Sequence, residues 1–93
     1  MAGNIYNRTV HGVLFWCKLE IEYAGRTRCI NDQDLRNISA TSSINILGQL
    51  KDILFTMIDN TEYELYKRDL LYFHNNIIRI MENLIIEYQI TGP

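Results

Sequence analysis

The amino-acid sequence predicts an α+β fold, a small N-terminal antiparallel β-meander packed on a long C-terminal helical hairpin. Three observations lead there. Cys17, Leu19, Ile21 and Tyr23 alternate with Lys18, Glu20 and Glu22, the period of a half-buried strand. Short glycine-containing connections, His11-Gly12 between Val10 and Val13 and Ala24-Gly25 between Tyr23 and Arg26, suit hairpins. From Tyr63 to Leu84, apolar or aromatic residues recur at alternating steps of three and four, which is a helical seam.

On this reading the meander occupies about 4–10, 13–23 and 26–30. Pairing Val10 with Val13 sets Arg8 opposite Phe15 and Tyr6 opposite Cys17 on one side, and points Leu14 and Trp16 to the other. A helix over 13–24 flanked by breaking glycines is the alternative, and it makes the chain an all-α bundle. Residues 32–40 add a helical turn or two, with Asp32 as cap and Leu35 and Ile38 inward. Ser42 or Ser43 then caps a helix to about Ile58, with Ile44, Leu47, Leu50, Leu54 and Met57 on its inner face. Asp59-Asn60 turns the chain. Thr61 with Glu64 reads as a capping box opening a helix over 62–90, which Thr91-Gly92-Pro93 ends. A second stripe, Leu71, Ile78, Met81, Ile85 and Tyr88, interrupted by His74, runs beside its main seam. If it is unused within the chain it is an oligomer interface, so a homodimer joined through Leu71, His74, Ile78, Met81, Ile85 and Tyr88 is expected.

The 93 residues make one domain, 1–93, without repeat or linker. Apolar residues are 47% and charged residues 22%, a globular composition that excludes disorder as the default. Net charge is −2. Residues 1–30 hold four basic and two acidic side chains, residues 31–93 five and nine, so neither part suits nonspecific nucleic-acid binding. The longest apolar run, Val13–Cys17, falls far short of the ~20 residues of a membrane span. The N-terminal residues lack a secretory pattern, so a cytoplasmic protein with reduced Cys17 and Cys29 is expected. Two histidines and two cysteines give no zinc spacing, and neither metal nor cofactor is expected. The weight of isoleucine and asparagine, 14 and 9 residues, is of the kind found in AT-rich phage genomes.

These features predict a protein-binding module of an inhibitor, immunity or adaptor kind, with Leu14, Trp16, Arg26 and Arg28 as partner-binding residues. Trp concentrates binding energy because it buries much area with few lost rotamers. Arg26 and Arg28 at a turn also suit a small anionic ligand or nucleotide. The segment Arg68-Asp69-Leu70-Leu71-Tyr72-Phe73-His74 resembles the signature of HEPN-type ribonucleases, an Arg followed by a polar residue and then a His. That resemblance implies metal-independent RNA cleavage in a dimer of helical bundles. His74 would be the general acid or base, with Arg68 on the scissile phosphate. It covers seven residues, and two that lie six apart on a helix stand about 120° apart around its axis.

Overall fold

The computed structural model describes the backbone of residues 2–89 and the side chains of 8–89, and within them every regular element is helical. α1 is Ala2–Gly25, α2 is Gln33–Asn60 and α3 is Glu64–Tyr88, with a 3-10 turn, Thr27–Cys29, between α1 and α2. The three helices run up, down and up in a rod of 49 × 18 × 18 Å. α1 and α3 point the same way: His11 lies beside Tyr66, and further along Ile21 and Ala24 lie beside Ile80 and Leu84.

The β-meander is therefore overturned, and the all-α alternative describes the chain. The segments 4–10 and 13–23 fall within one continuous helix, and 26–30 holds the 3-10 turn. Val10, Cys17 and Ala24 are buried, while Leu14 and Ile21 pack against the same core. Together they form a seam at steps of four and three, the spacing of a helix in a bundle. Leu19 and Tyr23, which completed the apparent strand alternation, stand outside that seam and are exposed. Gly12 does not break the helix: one interior glycine costs about 1 kcal/mol relative to alanine, which a 24-residue packed helix absorbs. Arg8 and Phe15 lie seven apart on one helix rather than across a hairpin. The side chain of Tyr6 lies outside the described residues.

α2 begins earlier than residue 42. Asp32 is its N-cap, accepting the Leu35 amide at 3.0 Å, so Ser42 and Ser43 lie inside the helix. Leu35 and Ile38 face outward rather than inward, Ile38 being 65% exposed. Ile44, Leu47, Leu50 and Leu54 are buried as expected, with Met57 half-buried. Asp59-Asn60 continues the helix, and the turn falls on residues 61–63. Thr61 is the C-cap of α2, its hydroxyl accepting the Tyr63 amide at 3.4 Å. Tyr63, with no side-chain cap bond, precedes α3, so the capping box does not form. α3 ends at Tyr88, followed by Gln89 in the left-handed conformation (φ 52°). Residues 91–93, the expected stop, lie outside the described residues.

α2 packs most extensively on α3, forming the helical hairpin, and α1 lies across both. Leu70, Ile77 and Leu84 on α3 meet Leu47, Leu50 and Leu54 on α2 and Val10, Cys17 and Ala24 on α1 in one core. Most of the second stripe of α3 is engaged by its own chain. Met81, Ile85 and Tyr88 pack against the core, the terminal methyl of Met81 lies over Gly48, and His74 stands 6.3 Å from the ring of Phe55. Leu71 alone of that stripe is exposed.

Candidate protein-docking surface

The outward side of α1 carries an apolar surface that no part of the described chain covers. Positions 15, 19 and 23 lie four apart and so share a face of the helix, with 16 on its α2 flank. That face is turned away from the buried seam Val10–Cys17–Ala24. Phe15 is 63% exposed, Trp16 48%, Leu19 47% and Tyr23 55%. The Trp16 ring nitrogen donates to Glu20 Oε1 at 3.4 Å, so its polar tip is engaged along the helix and its apolar rings remain open.

The surface continues onto α2. Leu19, Glu20, Glu22 and Tyr23 of α1, with Arg26 just beyond its end, line a hollow of about 470 Å³ closed on the other side by Ser42 and Ile46. A neighbouring hollow of about 450 Å³ shares Ser42 and Ile46 and extends to Ile38, Thr41 and Asn45. The two form a shallow, two-helix groove with apolar walls and polar rims. The charges that line it are Glu20 and Glu22 on α1 and Arg26 just past its end, and Arg8 stands exposed one turn before Gly12 on the same helix.

The residues singled out from the sequence separate into different places. Trp16 lies on this surface, whereas Leu14 is half-buried and packs against the core. Arg26 borders the groove just described. Arg28 lies apart, on a hollow of about 410 Å³ at the end of the bundle with Arg36, Gln33, Asn37, Tyr88 and Glu87. The two arginines do not converge on one anion, and the polar hollow at Arg28 includes a carboxylate. Arg68 is exposed on α3, and His74 is half-buried between α3 and α2, its Nδ1 3.5 Å from Asn75 Oδ1. Six positions separate them by ~9 Å along the helix and ~120° around it, so within one chain they do not face a common phosphate.

Cys17 is fully buried, and burial raises its thiol to about 11 from its ordinary value of 9.0. Cys29 is free and exposed. Among the described residues no three His, Cys, Asp or Glu side chains are grouped to hold a metal ion. No described helix is long and apolar enough to cross a membrane.

Phe15, Leu19, Tyr23, Ile38 and Ile46 are the surface residues that sequence reasoning missed. The signal was present: a seam at 10, 14, 17, 21 and 24 satisfies the core, leaving 15, 19 and 23 as apolar residues without a place in it.

Fold and surface together define a three-helix bundle with an uncovered apolar groove. Compared with family models, curated proteins and solved structures, the chain finds no significant match in any of the three.

Proposed function

We propose that the chain is a protein-binding module that acts by docking, of an inhibitor, immunity or adaptor kind, with the outward face of α1 as its working surface. The observation that carries this reading is the contiguous exposure of Phe15, Trp16, Leu19 and Tyr23 beside the α1–α2 groove. Soluble monomers seldom leave a continuous apolar patch beyond a few hundred Å² without a use for it. Exposed Trp and Tyr side chains are also the types that dominate binding energy at protein interfaces. On this reading the protein works without catalysis of its own, in the cytoplasm, where the free thiol of Cys29 stays reduced. The isoleucine- and asparagine-rich composition favours a phage origin.

A photo-crosslinking residue in place of Trp16 tests the reading against the same residue in place of Arg79, on the outer face of α3. In cells of the source organism, position 16 should capture a polypeptide that position 79 does not. Equal or absent capture at the two positions overturns the proposal.

A further inference from the structure

We infer that the occupant of this face is a second copy of the chain, with α1 of one protomer lying antiparallel against α1 of its partner over the α1–α2 groove. The inference rests on the docking reading above and deepens it by naming what docks.

The exposed area suits a second copy. Aromatic side chains present roughly 150–250 Å² each. At the exposures given, Phe15, Trp16, Leu19 and Tyr23 leave about 400 Å² uncovered, and Ile38, on the neighbouring hollow, brings the apolar total to about 500 Å². With the polar rim this approaches the ~800 Å² per partner of a standard stable interface. A closed two-fold contact uses the same patch twice and leaves neither copy exposed.

Gly12 suits one as well. It lies in the middle of α1, exposed, on the side that carries Phe15 and Leu19, and a Cβ built on it would meet nothing within 4 Å. Its φ is not positive. Nothing inside the described chain therefore requires a glycine, while its presence weakens the helix. Close approach of another helix does require one.

Charge sets the orientation of the pair. A parallel pairing sets Arg8 against the partner's Arg8, whereas an antiparallel crossing near Phe15 sets Arg8 beside the partner's Glu22. The same crossing brings Gly12 against the partner's Leu19. Opposite charges at both symmetric ends fix the orientation, and the glycine admits the leucine.

Sedimentation equilibrium of the purified full chain at micromolar concentration tests this. The expected particle has twice the 11.0 kDa of one chain. Leu19→Glu should convert it to monomer with helicity unchanged, whereas Ile86→Glu, an apolar-to-charge change at an exposed site on α3, should leave the dimer intact. Gly12→Leu supplies the readout that misfolding cannot imitate: it should raise helicity and thermal midpoint of the monomer while weakening dimerisation at least tenfold. In a Cys29→Ser background, Phe15→Cys should form an interchain disulfide and Arg79→Cys should not. A particle of 11.0 kDa at all accessible concentrations overturns self-pairing. In that case capture of a different polypeptide at position 16 leaves the docking reading standing, and no capture removes both. A dimer that survives Leu19→Glu and Gly12→Leu places the interface elsewhere and overturns the inference.

Discussion

Leu47 tests the bundle at its centre. Its side chain is fully buried on α2, on the face turned toward both α1 and α3. Leu47→Ala removes about three methylene equivalents, worth about 2.4 kcal/mol at ~0.8 kcal/mol each. The neighbours are helix-borne and relax only in part, so a residual cavity adds to the loss and the total falls at about 3–4 kcal/mol. At ~0.05–0.15 kcal/mol per residue, a chain of 93 residues has about 5–14 kcal/mol to lose, so the variant stays folded in buffer but melts early. Each kcal/mol lowers the thermal midpoint of a domain of this size by about 4–8 °C, which puts the expected drop at roughly 12–30 °C. Ile38→Ala is the matched comparison. The inward placement expected of Ile38 predicts a comparable loss, whereas its observed 65% exposure predicts a change within about 0.5 kcal/mol. Urea unfolding followed by far-ultraviolet circular dichroism measures both, at concentrations where the midpoint no longer depends on concentration. A loss below about 1 kcal/mol for Leu47→Ala, or equal losses at the two sites, refutes the packing described.

Ser43 is fully buried in α2, and its hydroxyl has no hydrogen-bond partner among the described residues, so Ser43→Ala should raise stability by about 1 kcal/mol in the same urea assay. Asp32→Ala removes the cap on the Leu35 amide and should cost about 1 kcal/mol by thermal unfolding. A thiol reagent near neutral pH should modify Cys29 and spare Cys17, whose two-unit elevation alone leaves it with about a hundredfold less thiolate, as mass spectrometry of the labelled chain would show. Cys17 stays neutral in the folded chain up to about 11 while the unfolded chain ionises it near 9.0. Its contribution is therefore complete below 9.0 and is lost as pH rises toward 11, so the stability difference between wild type and Cys17→Ala should narrow across that interval.

The C-terminal two-thirds of the chain was legible because its core residues carry the helical period without interference. Ile44, Leu47, Leu50 and Leu54 on α2, and Leu70, Ile77 and Leu84 on α3, are buried where the spacing put them. Helix ends were less legible, because caps compete. Ser42, Ser43 and Thr61 each offer an oxygen suited to a first turn, but Asp32 takes that role for α2, and Thr61 serves the end of one helix rather than the start of the next. The second stripe of α3 was visible as apolar, but the packing of Met81, Ile85 and Tyr88 on their own chain was not. A helix packed against two neighbours needs a wide apolar arc, and a sequence does not say whether that arc meets its own chain or another.

The N-terminal third reads as strands in the sequence for a reason visible in the structure. In a short window, Cys17, Leu19, Ile21 and Tyr23 satisfy a strand's alternation, yet only Cys17 and Ile21 belong to the core seam; Leu19 and Tyr23 belong to the exposed face. An amphipathic helix with one apolar face does not produce such alternation, because the positions opposite its seam are polar. A helix with a second apolar face, turned away from the core, does produce it wherever the two faces interleave. The false strand signal and the uncovered surface on α1 thus have one cause, apolar residues placed where the fold does not need them. Gly12 fits the same account. It suggested a hairpin turn because nothing in a solvent-facing helix calls for glycine, and a helix pressed against another helix does.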